Sequence, residues 1–284
     1  MILTSARITV KKTRKASPSA VGMALLLLAC IGLLTGCGRS SSETSLTIAG
    51  STSIQPFADR WAEVYMKKHP ACGVDVQGGG SSAGIQAARS GAADIGMSSR
   101  ELKPEEKDLI EIIVAWDGLA VIVHPENPVD DLSLVQVQNI FAGNIRSWAR
   151  VGGPDREIHV VTREEGSGTR GAFQEMVMGK SRIFKGAVVQ DSNGTVREIV
   201  ANDPFSIGYI SFGLVNEKVK AIRLDGIEAS HEHIAEKKYR LVRPFLFLTS
   251  GAPGHLAQDF IDFVLSPEGQ ELIQEEGLIP VFKE

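Results

Sequence analysis

Three times along the chain a short β-type run ends in a turn rich in glycine, serine and threonine, and each turn opens into a helical pattern. The first turn is Gly50-Ser51-Thr52-Ser53. The second is Gly78-Gly79-Gly80-Ser81-Ser82-Ala83-Gly84, and the third is Arg163-Glu164-Glu165-Gly166-Ser167-Gly168-Thr169. Strand–turn–helix units in series belong to α/β proteins, where such turns gather at the carboxyl ends of the strands. A helix N-terminus exposes unpaired N–H groups and a partial positive charge, so an anion sits there readily. Glycine lets the backbone approach closely, and hydroxyls add donors without a long cation. One such turn is an ordinary helix cap. Three in one chain, one of them led by Arg163, point to an anion site assembled from separate segments.

Around these units the periodicity predicts strands at 45–49, 74–77, 93–97, 112–115, 119–123, 158–162, 187–189, 207–210, 219–222 and 241–248. Pro244 confines the last to an edge or a bend. Helices are expected at 57–68, from 85 to 89, and at 105–111, 134–141, 170–178, 255–265 and 267–276. His124-Pro125-Glu126-Asn127-Pro128 interrupts the pattern and is read as a crossover, with the return near Leu224. The expected organisation is residues 46–123 plus 225–284 in one part and 124–224 in the other.

The first 36 residues stand apart. Arg7, Lys11, Lys12, Arg14 and Lys15 precede an apolar run from Ala20 to Leu34, a length suited to a signal peptide and short for a bilayer span. The run ends at Leu34-Thr35-Gly36-Cys37, which resembles the lipobox of bacterial lipoproteins and implies acylation of Cys37. Residues 37–45 are then a polar, serine-rich tether. With Cys30 removed and Cys37 acylated, Cys72 is the single remaining cysteine, so the mature domain has no disulfide and no cysteine metal site. Cys72 itself reads as a small, partly buried residue beside a turn.

Processing takes five of the 30 basic residues and none of the 34 acidic ones, leaving 25 against 34. That acidic balance excludes nucleic acid as a partner, since phosphate backbones require basic surface. It is compatible with local anion capture by neutral donors. Catalytic patterns are missing. The first turn lacks the lysine of a phosphate-binding loop, and Gly166-Ser167-Gly168 has Glu165 and Thr169 where a hydrolase elbow has glycines. His231 and His233 have a metal-clasping spacing but fall in a charged stretch, read as solvated loop. No cofactor is expected, and the chain is not read as an enzyme.

Four motifs in order resemble the phosphate-binding proteins of ABC importers. They are Gly50-Ser51-Thr52-Ser53-Ile54-Gln55-Pro56, Gly79-Gly80-Ser81-Ser82-Ala83-Gly84, Asp94-Ile95-Gly96-Met97-Ser98-Ser99-Arg100 and Gly166-Ser167-Gly168-Thr169. Asp117–Val123, Ile140–Gly143 with Trp148, and Leu265–Gln270 are similar to further landmarks of that family. The resemblance runs from about Leu46 to Val281. It implies a two-lobed periplasmic-binding-protein fold of type II, closing on an anion in the interlobe cleft. It implies donors at Thr52, Ser53 and Ser81, a cation at Arg163 steadied by Glu165, and donors at Ser167, Gly168 and Thr169. Well-known members carry an aspartate where Ser99 stands, to accept the proton of phosphate. Ser99 and Arg100 are grouped here with the phosphate contacts, although Arg100 could instead turn away into a surface ion pair.

The expected function is extracytoplasmic capture of inorganic phosphate by a lipid-anchored monomer and delivery to the permease and ATPase of an ABC importer. Import of sulfate or molybdate, or phosphate sensing without a transporter, remain the alternatives.

Overall fold

The structure is a computed structural model and describes residues 45–281. The signal segment, Cys37 and the tether as far as residue 44 lie outside the described residues.

Strand β1 (Ser45–Gly50) leads to helix α1 (Gln55–Lys68), and β2 (Gly73–Gly78) to α2 (Ser81–Ser90). Both strands are parallel, and β3 (Ile95–Ser98) lies parallel on the other edge of β1. Pro56 opens α1, Phe57, Trp61 and Tyr65 bury one face, and Lys67 and Lys68 sit at the negative end of its dipole.

The centre of the molecule is β4 (Ile110–Val123), a strand of 14 residues. Segments β5 (Asp131–Leu132) and α3 (Leu134–Phe141) follow, then β6 (His159–Arg163) and α4 (Gly168–Phe173). Next come β7 (Val188–Gln190), α5 (Asn193–Asn202) and β8 (Ser206–Ser211). Short β9 (Lys220–Ala221), β10 (Arg223–Leu224) and α6 (His231–Ala235) precede β11 (Val242–Thr249), and α7 (His255–Leu265) and α8 (Pro267–Glu275) close the chain. The main sheet runs β2-β1-β3-β11-β4-β8-β6-β7, with β9 also on β4, and β5 pairs β10 separately. Residues Ile110–Gly118 of β4 pair antiparallel with β11, whereas Leu119–Val123 pair antiparallel with β8.

Two main apolar cores form on either side of that handover. One gathers Ile48, Trp61, Ile95, Phe245, Phe247 and Phe260. The other gathers Leu119, Val121, Trp148, Phe173, Tyr209 and Tyr239.

Several expectations change. The strands expected at 112–115 and 119–123 are one, because Asp117 and Gly118 stay in the ladder. Leu119, Val121 and Val123, with Ala229, Ile234, Tyr239 and Leu241, pack in the second core, although the expected boundaries at 123 and 225 put them in the first part. Pro125 ends the strand without marking the handover, which lies in the middle of β4 and at the start of β11. The expected helix at 105–111 is a single 3-10 turn, Pro104–Glu106, before β4 begins. The helix expected at 170–178 starts at Gly168 and finishes as a π-turn. Helix α5 was not expected from the pattern. Asn193-Gly194-Thr195 are weak helix formers, but the Ser192 hydroxyl caps the Thr195 N–H, and Val196 and Val200 anchor one face. His231 and His233 lie on α6 instead of a loop, donating to Leu278 O and Glu228 O.

Candidate anion-binding site

The carboxyl ends of β1, β3, β6, β7 and β8 converge with the start of α2 at the midpoint of β4. Gly50 makes this convergence possible. Its φ is +139°, and a Cβ there would overlap Met97 O and stand 2.8 Å from Gly84 Cα. Because it has no side chain, α2 and β3 can close over the first turn, and Ser81 comes to rest beside Ser99, whose N–H donates to Ser81 Oγ at 3.0 Å.

The segments of the two cores touch here. Ser53 Oγ and Thr169 Oγ1 are 2.7 Å apart, and the Ser82 N–H donates to Gly166 O at 3.0 Å. A Cβ on Gly168 would overlap Ser81 Oγ and lie 2.6 Å from Ser99 Oγ, so both hydroxyls press against the N-terminus of α4. Ser51 Oγ donates to Ser99 Oγ at 2.8 Å. Ser167 caps α4 by accepting the Arg170 N–H.

Arg163, 1% exposed, enters from the end of β6. Its Nη2 donates to Thr52 Oγ1 (3.1 Å), Glu164 Oε1 (3.0 Å) and Asp191 O (2.9 Å). Its Nε donates to Glu164 Oε2 and Gln190 O. Nη1 is buried and has no partner, one of two such side-chain nitrogens among the described residues. A buried donor left unmatched costs about 1–3 kcal/mol, more when charged. This nitrogen therefore calls for an acceptor, on a guanidinium whose Nη2 already reaches Thr52 of the first turn.

A buried ion pair lies behind the hydroxyls. Arg243 on β11 donates through Nε and Nη2 to Asp117 Oδ2 on β4 (2.9 and 2.8 Å) and through Nη1 to Ser99 O (3.1 Å). Ser211 Oγ of β8 donates to Asp117 Oδ1 at 2.8 Å. Burial raises the Asp117 carboxyl above its ordinary range, against Arg243 and Ser211, which favour its ionised form. Burial likewise pushes Arg243 down, against Asp117.

A family profile described as the PBP superfamily domain matches residues 38–268. The phosphate-binding protein PstS of Bacillus subtilis is 34% identical over 250 residues, covering 86% of this chain and 83% of the relative. The chain belongs to the PstS family of phosphate-binding proteins. Among solved structures of this kind, one from Clostridium perfringens is named as a phosphate ABC transporter substrate-binding protein with bound phosphate. It is 43% identical, with a TM-score of 0.81 over 84% of this chain and all of that one. An ABC-type phosphate transport receptor from Vibrio cholerae is 40% identical, with a TM-score of 0.70 over 82% of this chain and 99% of that one. The fold is thus the two-lobed type II periplasmic-binding-protein fold.

At this candidate site of a PstS-family chain the structure gathers Thr52, Ser53, Ser81, Ser99, Arg163, Ser167, Gly168 and Thr169. Two expected members do not join them. Arg100 forms a two-pronged pair with Glu106 (2.7 and 2.9 Å) and also donates to Glu101 O. The hydrogen bond from Arg100 holds the Glu106 carboxyl below its ordinary range. Three ties of this kind turn the guanidinium away from the hydroxyls. Glu165 is also not the partner of Arg163. Its side chain is 93% exposed and 3.9 Å from Arg170, and the adjacent Glu164 holds Arg163. Both glutamates stand in a tight turn closed by the Ser167 N–H on Glu164 O, so one position decides which carboxylate faces Arg163.

Ser51, Asp117, Glu164, Asn193, Ser211 and Arg243 also stand at or behind the hydroxyls, beyond the residues expected there. Arg243 and Asp117 did leave a signal. Each is a lone charge in an apolar strand, and a buried charge requires a partner.

The contact between Gly168 and the two serines gives a sharp expectation. In Gly168→Ala the new methyl would hold the segments of the two cores apart while favouring α4 itself. Overpacking costs about 1–3 kcal/mol, so affinity for phosphate should fall about tenfold or more while the melting temperature holds. Calorimetric titration beside thermal unfolding checks this, and undiminished binding would mean that the segments do not close on the ligand this way.

Proposed function

We propose that the chain captures inorganic phosphate outside the cytoplasm and delivers it to an ABC importer. The observation that carries this reading is the buried, unpartnered Nη1 of Arg163, whose Nη2 reaches Thr52 in the same turn whose Ser53 meets Thr169. One cation with many neutral donors suits a small oxyanion, and the relatives above are named for phosphate binding or transport. The layout supports closure. The lobes, taken as the two packed cores, would rotate about the middle of β4 and the start of β11, trapping the anion where Ser53 meets Thr169. Membership of a solute-binding family supports binding without turnover.

Titration calorimetry with phosphate, sulfate and molybdate tests the reading. Saturable phosphate binding with weak or absent sulfate and molybdate binding is expected. Preference for either competitor would favour the second reading, import of another oxyanion. Ser99 keeps that reading in view, because a serine does not repel an unprotonated oxyanion as a carboxylate does.

We also propose that acylated Cys37 anchors the chain. The lipobox-like run Leu34-Thr35-Gly36-Cys37 supports this, since acylation of the cysteine would supply the attachment. Cys37→Ser should then shift the protein from the membrane to the soluble fraction or stall its processing. Wild-type fractionation and migration of the variant would end this proposal.

A further inference from the structure

The hydroxyl groups at the site have a direction, and the hydrogen bonds behind them set it. Ser53 Oγ accepts from Asn193 Nδ2 at 2.9 Å and from Arg243 Nη2 at 3.3 Å. Neither nitrogen has a lone pair to offer in return. Asn193 cannot exchange its amide ends, because its Oδ1 accepts the Ser211 N–H at 3.2 Å. Arg243 cannot swing away, because Asp117 Oδ2 holds two of its nitrogens and Ser99 O holds the third.

With both lone pairs of Ser53 occupied, its hydrogen must be given away. Thr169 Oγ1, at 2.7 Å, is placed to take it. Thr169 then accepts from Ser53, and its own hydrogen points elsewhere, from the helix terminus that also carries Gly168 against Ser81 and Ser99.

We infer that Arg243 is a positioning residue of the anion site: from behind the hydroxyls it fixes Ser53 as a donor to Thr169, and thereby fixes Thr169 as a donor to the anion. The inference rests on the reading of the site as a phosphate site. Without the guanidinium, Ser53 could rotate and accept from Thr169, and a lone pair of Thr169 would then face an anionic oxygen. Asp117 neutralises Arg243 inside the protein, so what Arg243 supplies is direction, with no added net charge. An arginine is required for this. A lysine can pair with Asp117, but it has no rigid fork to reach the carboxylate, Ser99 O and Ser53 together.

A double-mutant cycle on the full-length protein tests the idea, with phosphate titrated calorimetrically against wild type, Ser53→Ala, Arg243→Lys and the double variant. Thermal unfolding is followed in parallel. Each single change should raise Kd about tenfold. The double variant should be little weaker than either, since Arg243 acts through Ser53. An unchanged Kd for Arg243→Lys, or a double variant about a hundredfold weaker, would overturn the inference. General loosening would give that second result, because it weakens binding with or without Ser53.

Should Arg243→Lys fail to fold, Ser53→Ala and Thr169→Val form a second cycle that disturbs no buried charge. Less-than-additive losses there support the relay from Ser53 to Thr169, and fully additive losses overturn it. The wild-type titration separates the layers. Absence of phosphate binding would remove the phosphate reading and this inference with it, whereas phosphate binding with additive losses would remove this inference alone.

Discussion

Arg163→Ala is expected to weaken phosphate binding by about 100-fold or more, the largest loss for any single side chain at the site. Truncating one member of a buried charged pair costs about 2–5 kcal/mol, and each factor of ten is about 1.4 kcal/mol. Arg163 holds Thr52, Glu164 and the Asp191 carbonyl while keeping Nη1 free of protein partners. Its removal takes away the cation and leaves Glu164 facing an incoming anion. Lys67→Ala is the matched control. Lys67 lies on the outer face of α1 with its side chain 66% exposed, paired to Glu63 one turn earlier. Loss of an exposed pair changes little, so this variant should bind as wild type does. Equal effects in the two variants would show that overall charge, and not this site, attracts the ligand.

The second large effect is on stability. Asp117→Ala should destabilise the fold by about 3–5 kcal/mol, because it leaves Arg243 buried without a counter-charge. For a domain of this size that is a drop of about 6–20 °C in melting temperature. The same principle supplies an internal check. Replacing both partners with apolar residues, Asp117→Leu with Arg243→Met, should recover much of the loss. A single variant that melts like wild type would show that the pair is not desolvated as its geometry indicates. Recovery of stability without recovery of phosphate affinity is the outcome that the placement of Arg243 behind Ser53 leads one to expect.

What could be read in advance follows from how locally each feature is encoded. The turns at Gly50–Ser53, Gly78–Gly84 and Arg163–Thr169 announce themselves because glycine and hydroxyl residues fall at a change of hydrophobic period, and all three reach the site. The turn at Ser192-Asn193 has the same role but is followed by residues of low helix propensity, so α5 passed for loop. Its stability comes from the burial of Val196 and Val200, which is tertiary. The unity of β4 was hidden because Asp117 and Gly118 read as a break in an apolar run. They stay in the ladder only because Arg243 arrives from a strand more than a hundred residues later. Glu164 and Glu165 are chemically equivalent in sequence, and backbone direction alone separates them. Arg100 resembled a ligand contact from its neighbours, yet Glu106, six residues on, captures it.

Strand β4 also bears on how the molecule comes apart. At about 3.4 Å per residue, its 14 residues extend about 45 Å and lend one end to each core. Neither core can lose its order without stripping the ladder from a strand that the other also uses. The two lobes should therefore melt as one cooperative unit, with a single calorimetric transition in place of two. A fragment cut at the Pro125 turn would take away from the second core the strand that Val121 and Leu119 supply to it. A protein built this way would have no weak seam along which to unfold, even with the proposed movement of its halves on a ligand.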